Sequence, residues 1–291
     1  MRASIAAMTV TRRFLVGFAA TLAWPVMAQE VLPRPEPPFK GVIGETYKDS
    51  TPDKIPLIKA PDGAPNVLVI LIDDSGFGQW STFGGLISTP NLDRLAASGL
   101  RYTRFHTTAL CSPTRAALLT GRNHHSAGTG VITEIGSGYP GYSGQIPASA
   151  GMVSEILRQN GYSTAFIGKN HNIADWETSI SGPFDRWPSR QGFDHFYGFV
   201  GGEANQWAPA LYRDTTPVEM EIPKGMEGRC TLNDSLADEV IKYISKEKSA
   251  TPDRPFFVYY APGATHAPAP SNARVDRAVQ GQVRHGLERS A

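Results

Sequence analysis

Apolar positions along this chain gather in short runs that alternate with amphipathic stretches. Asn66-Val67-Leu68-Val69-Ile70-Leu71-Ile72 is continuous and β-branched, the pattern of a strand covered on both faces in a parallel or mixed sheet. Thr89-Pro90 through Ala97 reads as a capped helix closed by Gly99, and Leu100 to Phe105 as the strand after it. Ser154 to Gln159 predicts a helix that stops at Asn160-Gly161, and Ser163 to Ile167 a second buried strand. Ser235 to Lys246 carries Leu236, Val240, Ile241 and Ile244 at helical spacing, and Pro255 to Tyr260 is a further apolar strand. Strands alternating with helices predict an α/β fold, a mixed and largely parallel sheet flanked by helices.

That pattern is missing at both ends. Arg12-Arg13 precede an apolar run from Phe14 to Met27 that closes on Val26-Met27-Ala28. This is a basic segment, a hydrophobic segment and a small-residue cleavage site, so residues 1–28 are predicted to be a signal peptide with Gln29 as the mature start. The run is too short and too early for a stable membrane span. Export is therefore expected, to a periplasm. Phe14-Leu15 follow the arginines one position early for a twin-arginine signal, and the Sec route stays open. Residues 29–64 are rich in proline and lysine and read as an extended lead-in over the domain surface. With 28 basic and 27 acidic side chains the net charge is +1, which argues against nucleic acid as the main partner. The two cysteines, Cys111 and Cys230, could pair in an exported chain unless one of them is modified.

Several stretches carry chemistry. Cys111-Ser112-Pro113-Thr114-Arg115 spells C-x-P-x-R and runs on as Ala116-Ala117-Leu118-Leu119-Thr120-Gly121-Arg122. A helix starting near Pro113 or Thr114 would place Cys111 just ahead of an anion-attracting N-terminus. A buried cysteine before an ordinary helix would read the same way. Asp73-Asp74 directly follow the first strand, where open α/β sheets bind ligands. Two adjacent carboxylates before Gly76 fit a solvated turn, or a hard cation such as calcium. Gly168-Lys169-Asn170-His171-Asn172 closes the strand from Ser163, and Thr265-His266-Ala267-Pro268 follows the strand from Pro255. Each alone suits ordinary loop residues. His124-His125 are read as structural or pocket-lining, because adjacent histidines chelate one ion poorly.

Taken together, from Ala64 to Pro268, these stretches resemble the type I sulfatases of the alkaline-phosphatase-like superfamily. Phe77-Gly78, Phe83-Gly84-Gly85 and Thr89-Pro90-Asn91-Leu92-Asp93 fit as well, and the wording is closest to the bacterial arylsulfatase branch. The resemblance implies that a separate formylglycine-generating enzyme oxidises Cys111 to formylglycine. It implies a calcium ion on Asp73, Asp74 and the modified residue 111. Arg115 and Lys169 would clamp sulfate oxygens, and His266 would bind a sulfate oxygen or assist the leaving oxygen. His171 would contact the formylglycine diol and help break down the covalent intermediate. The implied substrate is a small-molecule sulfate ester, an aryl sulfate by the branch. A phosphonate or phosphate monoester hydrolase of the same superfamily, or a non-catalytic exported fragment, are the alternatives.

The resemblance also implies two elements that do not follow His266: an Asp-Asn pair that completes the metal site, and a later lysine on the sulfate. Residues 65–268 are thus expected to be the N-terminal portion of a catalytic domain, incomplete as written. From Ala269 to Ala291 the chain loses hydrophobic pattern and turns arginine-rich. Shifting the frame by one base near the Pro268 codon permits text that resembles what sulfatases carry after H-x-P. Residues 269–291 are therefore expected to be an out-of-frame tail, and the chain weak or inactive as a hydrolase.

Overall fold

The computed structural model describes residues 38–53 and 58–268. The predicted signal peptide, the start of the lead-in and the arginine-rich tail lie outside the described residues. The chain divides into two units, residues 1–56 and 57–291. In the first, Val42 and Thr51 exchange both backbone hydrogen bonds at 2.8 Å around a turn at Tyr47–Asp49.

The second unit is built on a six-stranded sheet in the order β1-β6-β2-β3-β4-β5. The strands are β1 Val67–Ile70, β2 Ser163–Lys169, β3 His195–Phe199, β4 Leu211–Arg213, β5 Thr216–Val218 and β6 Phe256–Ala261. β1, β6, β2 and β3 run parallel, and β4 and β5 add an antiparallel hairpin at the far edge. This is the mixed, largely parallel sheet that the sequence predicts.

Alternation along the central strands divides the core in two. Phe166 of β2 and Tyr259 of β6 point to one face, with Ala116 and Leu119 of α2 (Cys111–Thr120), Met152 ahead of α3 (Val153–Gln159), and Phe193, Phe196 and Trp187. Ile167 and Val258 point to the other, under Leu232, Leu236, Val240 and Tyr243 of α4 (Leu232–Ala250). Helix α1, Pro90–Ala97, follows Thr89 at the N-cap position, where the side chain makes no capping hydrogen bond. Helix α4 starts three residues before its predicted Ser235, because Asp234 accepts from both the backbone N–H and the hydroxyl of Thr231 at 2.8 Å and caps the first turn.

Three expectations change. β1 is not covered on both faces: it is the edge strand, and Leu68 and Ile70 are 43% and 48% exposed. Leu100 to Phe105 forms no strand, since no described residue pairs with it, and its apolar side chains are exposed. Ile241 lies on the solvent face of α4, so its helical spacing with Leu236 does not make it core.

Candidate active site

Parallel strands put their carboxyl ends at one edge, and the motif residues lie there. Beyond β1, Leu71 N–H donates to Tyr260 O at 2.9 Å, so pairing with β6 continues outward. Asp73 is then held by the loop after β6: its N–H donates to Ala264 O (2.9 Å), and its carbonyl accepts from the N–H of Thr265 (2.8 Å) and from the Thr265 hydroxyl (2.9 Å). Gly168 lets β2 run beside β6. Its φ is 114°, and a Cβ there would meet Ala261 O at 2.1 Å.

The Asp73 carboxylate joins two buried cations. Arg115 Nη2 donates to Oδ1 at 3.1 Å, Lys169 Nζ donates to Oδ2, and Arg115 Nη1 donates to Lys169 O at 2.9 Å. Asp73, Arg115 and Lys169 are 6%, 1% and 0% exposed. Burial works against the Asp73 charge, but Arg115 and Lys169 outweigh it and hold the carboxyl below its ordinary value. Both cations expected on sulfate oxygens thus meet first on Asp73.

Cys111 lies inside the first turn of α2 rather than ahead of it, with Leu110 as the N-cap. Its Sγ, an Asp73 carboxylate oxygen and a His266 ring nitrogen all lie within 4.8 Å of one another. Asp74 turns outward in left-handed backbone, φ 48°, and its Oδ2 is 3.8 Å from His266 Nε2. A cavity of about 450 Å³ opens here. Asp73, Asp74, Cys111 and Arg115 form its polar side, and Phe77, Trp80, Phe83, Phe105 and Leu110 its apolar wall.

His171 stands further back, on the loop after β2, and does not line this cavity. The loop is joined to the nucleophile helix by Asn172, whose Nδ2 donates to Ser112 O at 2.9 Å. The sequence reading named Asn172 without giving it a role and missed the acceptor of His171, Glu134 (2.8 Å between Nε2 and Oε2). Position 172 flanks the G-K-x-H element and its role could have been found, whereas Glu134 carries no motif. The His124 and His125 rings lie 4.2 Å apart, tilted by 45°, His125 Nε2 contacts Tyr142 Oη at 3.1 Å, and neither histidine lines the cavity. Cys111 and Cys230 are both free thiols, so they do not pair. Cys230 is buried, which pushes its thiol pKa up.

The donor set suits a hard cation in kind, since Asp73 and Asp74 place carboxylates on one cavity wall. It is short in number: calcium takes about six to eight oxygens, and each Asp73 oxygen already accepts from a cation.

A family model described as Sulfatase matches residues 65–288. N-acetylgalactosamine-6-sulfatase of Homo sapiens is 34% identical over 226 residues, covering 70% of this chain and 40% of that protein. Arylsulfatase of Klebsiella aerogenes is 29% identical over 228 residues, covering 76% of this chain and 47% of that protein. Among solved structures, Ps i-CgsB matches with a TM-score of 0.56 and 26% identity over 77% of this chain and 55% of its own. BT4656, solved in complex with its substrate D-glucosamine-2-N,6-O-disulfate, matches with a TM-score of 0.54 and 26% identity over 70% of this chain and 35% of its own. The chain spans 40–47% of the length of these curated relatives.

Proposed function

Because the chain belongs to the sulfatase family, we propose that it carries the nucleophile-bearing part of a site that hydrolyses small-molecule sulfate esters. The observation that supports this most is the convergence of Cys111, Asp73 and His266 within 4.8 Å at the carboxyl edge of the sheet, with Arg115 and Lys169 on the same carboxylate. Arg115 offers a permanent cation and a planar fork suited to sulfate oxygens, and Lys169 a point charge beside it. Asp73 keeps both cations in place before substrate arrives. His266, whose ring nitrogen is within 4.8 Å of Cys111 Sγ, would offer a ring N–H to the leaving oxygen. The apolar wall of Phe77, Trp80 and Phe83 favours an aryl leaving group. Formylglycine at residue 111, made by a formylglycine-generating enzyme, supplies an oxygen nucleophile when present, and calcium on Asp73 and Asp74 supplies charge stabilisation.

Residues 1–28 are proposed to direct export to a periplasm, and residues 269–291 to be out of frame, against a family match that runs on to residue 288. Among the described residues no helix is long and apolar enough to cross a membrane.

The test is to express the chain with a formylglycine-generating enzyme and analyse the peptide bearing residue 111 by mass spectrometry. Loss of sulfur and two hydrogens with gain of one oxygen at Cys111 is expected, and none in Cys111→Ala. Release of sulfate from an aryl sulfate should be weak here and rise on a frame-restored chain with calcium. A frame-restored protein that cleaves phosphonate monoesters and leaves sulfate esters intact refutes the sulfate assignment.

A further inference from the structure

His171 is held in left-handed backbone, φ 52°, and is 4% exposed. Asn170 sets that conformation, its Oδ1 accepting from the backbone N–H of Asn172 (2.8 Å) and of Ile173 (2.9 Å). His171 Nε2 lies 2.8 Å from Oε2 of Glu134, on the short helical turn Thr133–Ile135 between α2 and α3. The Thr133 hydroxyl donates to the same oxygen at 3.2 Å. Burial opposes the Glu134 charge, but the hydrogen bond from His171 prevails and holds its carboxyl below the ordinary value.

An ionised carboxylate only accepts. A neutral His171 must therefore carry its proton on Nε2, which leaves Nδ1 a bare lone pair. Nδ1 is buried and has no hydrogen-bond partner among the described residues. Gly202 lies against the ring, where a Cβ would come within 2.7 Å of Cε1, so the ring is backed on that side. Asn172, the next residue, holds the carbonyl of Ser112 beside Cys111.

We propose that Glu134 is a positioning residue that fixes His171 as the Nε2–H form, so that the ring's proton-accepting lone pair lies on Nδ1. Its part in turnover rests on the sulfate-ester reading above. Where a hydroxyl reaches Nδ1, its proton passes to the ring and the oxygen keeps the electron pair. The ring becomes an imidazolium with hydrogen on both nitrogens. Glu134 offsets that charge and is not itself protonated.

The ring's charged surroundings give the sign of the test. Burial lowers the His171 pKa, Glu134 raises it, and Lys169 and Arg115 lower it. Glu134 is the one raising influence, so removing its charge must shift the titration down. Nitrogen NMR on 15N-histidine-labelled full chain reads both protonation site and titration midpoint, with His171→Asn identifying the signal. In the unsubstituted protein a protonated Nε2 and a bare Nδ1 are expected at neutral pH. In Glu134→Gln, which keeps the shape, and in Glu134→Ala, the midpoint should fall. On a frame-restored, modified protein kcat should fall on the order of 10²-fold with KM little changed. A proton on Nδ1 in the unsubstituted protein overturns the proposal, as does a midpoint unmoved in both variants. If the expected NMR result appears but no ester is turned over by any variant, the pair stands and the sulfate-ester reading fails.

Discussion

Replacing Asp73 by Asn removes the anion that two buried cations share. The Arg115 contact is 3.1 Å and the Lys169 contact is closer still, with neither cation more than 1% exposed. At an effective dielectric near 20, one such pair has a gross attraction of about 5 kcal/mol. Much of this offsets desolvation, and removing one partner of a buried pair costs about 3–5 kcal/mol because the remaining charge is stranded. Total domain stability is roughly 5–15 kcal/mol, so Asp73→Asn should unfold easily or fail to accumulate. Urea denaturation followed by circular dichroism measures the loss. The decisive comparison is Asp73→Asn with Lys169→Met: the double variant lacks the stranded ammonium and should be more stable than Asp73→Asn alone, or recover soluble protein where the single variant yields none. The pH dependence has a definite sign. The Asp73 carboxyl is held below its ordinary 3.8, so its stabilisation is present above that pH and is lost as pH falls through the folded value. A loss under about 1 kcal/mol in Asp73→Asn, or a double variant no better than the single, would show that the cations are not held by this carboxylate.

Glu239 gives a second acid-sensitive contact: burial opposes its charge, but His195 and Arg213, at 2.9 and 2.6 Å, draw its pKa from 4.5 to about 2. Its stabilisation, up to about 3 kcal/mol, should fade as pH falls from 4.5 towards 2, and denaturation of Glu239→Gln should lack that component. On the β1 edge, Leu68→Ser with Ile70→Thr should lower light scattering on storage while leaving the urea midpoint nearly unchanged, because both side chains are more than a third exposed. A large loss of stability in that variant would mean the face is packed.

How much was legible in the sequence depended on what each residue's neighbours in the chain could say. β6 announces itself as an unbroken apolar run, and β2 by its central Ala165-Phe166-Ile167, because helices cover both of their faces. β1 spells the same run, yet it stands at an edge; composition reports apolarity, not which strand lies beside it. β4 and β5, Leu211–Arg213 and Thr216–Val218, are three residues each, too short for a period to show, and form a hairpin through Asp214, whose φ is 55°. Leu100 to Phe105 has strand-like composition, and composition cannot supply a partner.

The site divides along a different line. Asp73, Lys169 and His266 belong to segments that leave the carboxyl ends of β1, β2 and β6. Once those strands are parallel and adjacent, the three must emerge at one edge, so strand order alone brings them together. Cys111 needs only that α2 begin where the chain returns to that edge, and its first-turn position meets this. Glu134 obeys no such rule. It lies in the long connection between α2 and α3, whose course is fixed by tertiary contacts such as Gly128 O to Gly144 N–H (2.9 Å) and Gly130 N–H to Gly141 O (2.7 Å). Residues at strand ends can be assigned from topology, while a residue that orients them from a loop becomes visible only when the loop is folded.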